Sequence, residues 1–297
     1  MSAPSIYGII PAMVTPFDRQ EEVNFPALRR LTRFLIEAGA HGLFATGSQG
    51  EFWALSSAEK QRVWETVVDE AAGKVPVYAG ASAITTREAV ELARAAEGCG
   101  VNGLSVLTPY FISPSEDELY EFFRAIAAAT RLPVLLYNNP ARTGGVKISL
   151  ALASRLAKIE NIVGIKDSSG DLEAAAEFIR LLPDFTVLLG RDTLIYGGLL
   201  YGAKGAIAAT ANVAPALVVS IYEHFRAGRL EQARQAQQEL SKLRMAFTFG
   251  TFPVVIKEAL DLMGFEAGPA RSPVGALAPE VRARLKQVLL EMNLIAA

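Results

Sequence analysis

Cysteine occurs once and histidine twice in the 297 residues, and these shortages exclude several chemistries before any motif is considered. The single thiol, Cys99, cannot form an intrachain disulfide and suits a reducing compartment; its place in the sequence reads as a buried helix position. His41 and His224 lack the HxH or HExxH spacing of a zinc site, and the scattered Asp and Glu read as solvated surface, so no metal is expected. No block of Lys or Arg stands out in a chain whose net charge is −2 and whose isoelectric point is near 5.9. That argues against nucleic acid and against an anionic membrane as partners. No apolar run reaches about 18 residues without a charge, and Met1–Tyr7 lacks the charged and apolar regions of a secretion signal. No membrane partner and a cytoplasmic location are therefore expected. Low-complexity stretches are also missing, which leaves small molecules as the expected partners.

What is present is core-forming material: 51% of the residues are hydrophobic and 20% charged, enough for one large core without staples. Eight short apolar runs recur, at Gly8–Val14, Gly42–Thr46, Pro76–Gly80, Gly103–Leu107, Pro133–Tyr137, Ile162–Lys166, Thr186–Gly190 and Gly205–Ala208. Between them, segments such as Ser56–Ala72, Thr85–Gly98 and Ser115–Ala129 carry apolar residues at helical spacing, with Ser56, Thr85 and Ser115 as N-caps. Alternating strand and helix marks a parallel sheet, and eight units predict an α/β fold, a (β/α)8 TIM barrel. A doubly wound sheet is the alternative, but Ile9-Ile10-Pro11-Ala12 is not the glycine-rich loop such a sheet usually carries after its first strand. Further helical patterns follow at Ala214–Ala227, Leu230–Ala246, Pro253–Met263 and Pro279–Met292, with no linker rich in Gly, Pro or Ser. Residues 1–225 are read as the catalytic barrel and residues 226–297 as a C-terminal helical extension packed on it.

In such a barrel the active site is built where strands end. Strand 2 ends in Thr46-Gly47-Ser48-Gln49-Gly50-Glu51, a glycine-flanked turn whose amides and Ser48 hydroxyl can grip a carboxylate. Strand 4 ends in Thr108-Pro109-Tyr110-Phe111, strand 5 in Tyr137-Asn138-Asn139-Pro140-Ala141-Arg142-Thr143-Gly144, and strand 7 in Gly190-Arg191-Asp192. Strand 6 delivers Lys166 to its carboxyl end, before Asp167-Ser168-Ser169-Gly170. A lysine held in an apolar barrel mouth loses solvation of its charged form, and the free amine can attack a carbonyl. Taken singly, each piece has a plainer reading: a lysine snorkelling to the surface, an aromatic barrel plug, an arginine paired with a surface carboxylate. Their gathering at one face favours function.

These segments resemble the dihydrodipicolinate synthase / N-acetylneuraminate lyase family of Schiff-base-forming aldolases and lyases. The similarity runs from Gly8-Ile9-Ile10-Pro11-Ala12-Met13-Val14-Thr15-Pro16-Phe17 to Pro253-Val254-Val255-Ile256-Lys257-Glu258-Ala259-Leu260 and is most discriminating at Tyr137–Gly144 and Gly164–Gly170. The resemblance implies that Lys166 forms a covalent imine with pyruvate or another 2-oxo acid, with no separate cofactor. It implies that Ser48 and the following amides bind the carboxylate and that the Tyr137 phenol moves protons. Gln49, Arg142, Gly190 and Ile207 complete the expected substrate-binding set, with Arg142 placed to hold the carboxylate of a second substrate, an aldehyde. Tyr110 and Phe111 fall on the loop that crosses the dimer interface in the family, and a homotetramer, a dimer of dimers, is implied.

The leading expectation is dihydrodipicolinate synthase-like activity, on pyruvate and aspartate semialdehyde. Two departures bear on it. The synthases usually carry a threonine pair where this chain has Ser48-Gln49, and a tyrosine where it has Phe111, which cannot relay a proton. An aldolase for 4-hydroxy-2-oxoglutarate or 2-keto-3-deoxy sugar acids is the alternative, and a non-catalytic oxo-acid binding protein a more distant one. Lysine-inhibited synthases have a small residue and an asparagine where this chain aligns Trp53 and Ile84, so feedback inhibition by lysine is not expected.

Overall fold

A computed structural model describes residues 6–296; most of the Met1–Tyr7 segment lies outside the described residues. Eight strands form one parallel sheet: β1 (Gly8–Pro11), β2 (Leu43–Ala45), β3 (Val77–Gly80), β4 (Gly103–Leu107), β5 (Val134–Asn138), β6 (Ile162–Asp167), β7 (Thr186–Leu189) and β8 (Gly205–Ala208). Their order around the sheet is β1-β8-β7-β6-β5-β4-β3-β2. An Ala12–Phe44 bridge and the Met13 N–H, which donates to the Phe44 carbonyl at 2.9 Å, bring the two ends together. The chain is a TIM barrel, as its alternation predicts. Several strands are shorter than their apolar runs. Ala12–Val14 lies beyond β1, and Thr46 leaves β2 with a left-handed φ of 52°.

Helices α1 (Phe25–Glu37), α2 (Ser57–Ala71), α3 (Thr86–Gly98), α4 (Glu116–Ala128), α5 (Leu150–Leu156), α6 (Leu172–Leu181), α7 (Ile195–Tyr201) and α8 (Pro215–Arg226) alternate with the strands. Ser56 and Ser115 close capping boxes with Glu59 and Glu118, and Thr85 accepts from the Glu88 amide, so orphan amides at three helix starts are satisfied. Cys99 is not within a helix: it follows α3 and is half-buried.

Side chains alternate between two layers. Ile10, Phe44, Tyr78, Leu135, Leu188 and Ile207 fill the barrel interior, while Leu43, Val77, Leu104, Val134 and Ile165 face helical residues such as Leu31, Trp64, Leu92 and Phe123.

The pattern at Ala214–Ala227 is the barrel's own α8, so the helices beyond it are α9 (Leu230–Ala246), α10 (Val254–Leu262) and α11 (Pro279–Glu291). They are tied to the barrel through polar contacts. On α9, Gln237 accepts from the Tyr196 amide and donates to the Asp192 carbonyl, both at 2.9 Å. Arg271, between α10 and α11, donates to the Glu21 and Ala54 carbonyls at 2.8 and 2.7 Å and pairs with Glu59. Among the described residues no helix is long and apolar enough to cross a membrane.

Candidate active site

Lys166 reaches the barrel interior because β6 breaks its alternation. Val134 pairs with Ile162, but the next partners are Leu135 and Gly164, so Val163 is skipped. A bulge of this kind adds one residue to one strand and shifts the side-chain parity beyond it. Ile162 and Ile165 both pack outward against the helices, and Lys166 turns inward opposite Tyr137. Gly164 permits the close approach, since a Cβ there would collide with the Thr186 carbonyl.

The lysine is 3% exposed. Its Nζ lies 3.9 Å from the centroid of the Tyr137 ring and 4.8 Å from that of Phe44, two π faces that receive a cation in place of water. The Tyr137 hydroxyl stands 3.3 Å from Ser48 Oγ and accepts from Asn139 Nδ2 at 3.0 Å. Burial pushes the phenol up, but the Lys166 charge and hydrogen bonds from Ser48, Asn139 and Ser168 outweigh it and leave the group below its ordinary value.

Ser48 sits in a turn whose two ends are both left-handed, Thr46 at φ 52° and Glu51 at φ 56°. The barrel holds both ends: Thr46 Oγ1 accepts from Trp64 Nε1 at 2.6 Å, and next to Glu51 the Gly50 carbonyl accepts from Thr15 Oγ1 at 2.7 Å. Beside the lysine, Asn138 donates to Asp167 at 2.6 Å and Ser169 to its other oxygen at 2.7 Å. Burial raises the Asp167 carboxyl despite these two bonds.

One cavity of about 390 Å³ is lined by Ser48, Gln49, Tyr137, Arg142, Lys166, Gly190 and Ile207, so seven of the residues singled out in the sequence meet in one place. A Cβ at Gly190 would meet Ser168 Oγ, so a side chain there would force that hydroxyl to turn away. Tyr110 instead lines an adjoining space of about 300 Å³ with Ser48, Phe52 and Trp53. Phe111 lines neither; it is 93% exposed with φ 74°.

The extension supplies a wall that strand-end reasoning does not find: Arg244, Phe247, Thr248 and Phe252 all face the main cavity. No sequence signal marks them, since helix periodicity shows that α9 is amphipathic but not what its faces meet. Arg142 stacks on Phe252, 4.6 Å from the ring centroid. With Arg191 and Arg244 it makes the cavity basic. The one carboxylate in the lining, Asp192, is already engaged by the Ala209 and Thr210 amides at 3.3 and 2.7 Å. The arrangement offers a buried amine, a phenol beside it, a glycine-flanked turn carrying Ser48 and an outer basic rim.

Residues 5–292 match the model of the dihydrodipicolinate synthetase family. A 4-hydroxy-tetrahydrodipicolinate synthase of Methanopyrus kandleri is 40% identical over 292 residues, covering 98% of this chain and 97% of the relative. An uncharacterized DapA-like lyase of Halobacterium salinarum is 38% identical over 290 residues, 98% of this chain and 95% of the relative. Among solved structures, the chloride-inhibited dihydrodipicolinate synthase of Acinetobacter baumannii complexed with pyruvate superposes with a TM-score of 0.95 at 35% identity, covering 98% of this chain and all of that one (100%).

Proposed function

This chain belongs to the dihydrodipicolinate synthetase family of class I pyruvate-dependent lyases, and we propose that it joins pyruvate to aspartate semialdehyde through an imine on Lys166. The observation that carries the reading is the pairing of a buried Lys166 amine with the Tyr137 phenol 3.3 Å from Ser48 Oγ. The amine attacks C2 of pyruvate, whose carboxylate rests on Ser48 and the turn amides. Tyr137 delivers the proton with which the carbinolamine oxygen leaves as water. The Tyr137 phenolate left by that donation takes a proton from C3, the C–H electrons flow into the protonated imine, and the resulting enamine carbon attacks the aldehyde. Aldehyde oxygen takes up a proton as the new carbon–carbon bond forms, and hydrolysis or the product's own amine frees the lysine.

For the second substrate the support is electrostatic. Arg142 makes no ion pair among the described residues, and it faces the cavity with Arg191 and Arg244. A guanidinium free to bind in bidentate fashion suits a terminal carboxylate. Gln49 and the exposed Phe111 favour a second reading, an aldolase acting on 4-hydroxy-2-oxoglutarate or 2-keto-3-deoxy sugar acids, because neither reproduces the hydroxyl relay of the synthases. The protein is further proposed to be a cytoplasmic homotetramer, with Tyr110 and Phe111 at the dimer contact; light scattering after size-exclusion chromatography reads its mass.

Borohydride reduction with pyruvate, followed by peptide mass spectrometry, tests the chemistry. An adduct on Lys166 that disappears in Lys166→Ala supports it, and no adduct at any pyruvate concentration sinks it. Condensation with aspartate semialdehyde, measured beside cleavage of the hydroxy-oxo acids, decides between the two substrates.

A further inference from the structure

A second buried lysine lies beneath the Ser48 turn and has no part in the chemistry above. Lys257, on α10, donates to Glu51 Oε1 at 2.6 Å and to the Pro269 carbonyl at 2.6 Å, and both charged side chains are fully out of solvent. The other Glu51 oxygen accepts from the Arg271 amide at 2.9 Å. Among the described residues, every hydrogen bond to this carboxylate thus comes from the chain beyond the barrel. Glu51 itself is left-handed, a conformation that costs a non-glycine residue and persists where surrounding contacts over-determine it. Its amide donates to the Ser48 carbonyl at 3.2 Å, so the orientation of Glu51 is passed directly to Ser48. A buried ion pair is seldom more stabilising than apolar packing of the same volume. What it adds is direction, because a carboxylate held by two donors cannot rotate.

We propose that Glu51 and Lys257 are positioning residues for the 2-oxo acid end of the substrate, through which the C-terminal extension holds the carboxylate-gripping turn in its binding geometry. The inference rests on the reading of the Ser48 turn given under Proposed function. It makes α10 part of the apparatus that recognises pyruvate, although neither Glu51 nor Lys257 lines the cavity. The groups facing Lys257 are Glu51, Asp261 and Arg271, with the Phe17 ring centroid 4.0 Å from Nζ. Burial lowers the amine to about 8 against the pull of Glu51, so the amine loses its proton within the alkaline range of an assay and leaves the Glu51 carboxylate without its cation.

Borohydride trapping at varied pyruvate separates the half-saturating concentration from the rate at saturation. In Lys257→Met the half-saturating concentration is expected to rise by about tenfold or more while the saturating rate falls by less than about threefold. Lys257→Arg, which keeps the charge, is expected to remain within about threefold of wild type. Across about pH 8 to 9.5 the wild-type half-saturating concentration should climb while that of Lys257→Arg stays flatter. A folded Lys257→Met with wild-type half-saturation, or one that loses only the saturating rate, overturns the proposal. Should Lys257→Met not fold, Glu51→Gln is read in the same trapping assay, and wild-type half-saturation in that folded variant overturns the proposal. Absence of any wild-type adduct on Lys166 would instead remove the functional reading on which this one stands.

Discussion

Tyr137 and Lys166 are partners across the β5–β6 ladder because β6 carries one extra residue at Val163. In an unbroken strand Ile162, Gly164 and Lys166 would share a face, and Ile162 faces the helices. The bulge exchanges the faces, so the amine enters the barrel beside the phenol instead of emerging among the helices.

Gly164→Ala tests that geometry. The added Cβ meets the Thr186 carbonyl, and overpacking of a tight site costs about 1–3 kcal/mol. We expect a lower thermal midpoint and, in the folded fraction, slower trapping of pyruvate on Lys166. A variant with wild-type trapping and stability would show that the bulge does not depend on this glycine.

Tyr137→Phe keeps the ring under Lys166 and removes the hydroxyl that meets Ser48 and Asn139. We expect kcat to fall by about 10²- to 10⁴-fold, the usual contribution of a placed proton carrier, with a much smaller change in pyruvate KM. Steady-state kinetics measure both; an unchanged kcat would remove Tyr137 from the proton path.

Arg142→Ala should raise KM for the second substrate by about 10- to 100-fold, matching the roughly 1.5–3 kcal/mol of a charged hydrogen bond, and leave pyruvate KM nearly unchanged. Equal effects on both substrates would give Arg142 another role.

Acid should loosen the contact between extension and barrel. Arg271 holds Glu59 down at about 2, against burial and with help from Ser56, whereas the ordinary value is 4.5. A depressed carboxylate stabilises the folded state above its unfolded value, and the contribution disappears as pH falls from about 5 through about 2. Urea unfolding at neutral pH and near pH 3 should show Glu59→Gln less stable than wild type at neutral pH and closer to it in acid. A constant difference between the two would refute the assignment.

Lysine is expected not to inhibit, because Trp53 and Ile84 stand where inhibited synthases carry a small residue and an asparagine. Micromolar inhibition in a steady-state assay would overturn this.

Periodicity and strand-end residues were sufficient to read the barrel, the eight strands and the cluster of Ser48, Tyr137, Arg142 and Lys166 in this chain, because strand and helix periods are local properties and barrel topology carries every strand end to the same face. Strand limits were less legible: hydrophobicity continues through Ala12–Val14 after the ladder has ended. Three things depended on the tertiary structure. The Val163 bulge is set by packing between neighbouring strands, and nothing within Ile162–Asp167 announces it. Arg244 and Phe252 reach the cavity only because α9 and α10 dock over the barrel mouth, a contact between segments far apart in the chain. Glu51 and Lys257 form a pair across 206 residues, and each taken alone reads as surface charge. Local sequence determines which faces are apolar and where chemistry-bearing side chains occur, but the partner of each face is chosen by the packing of the whole chain.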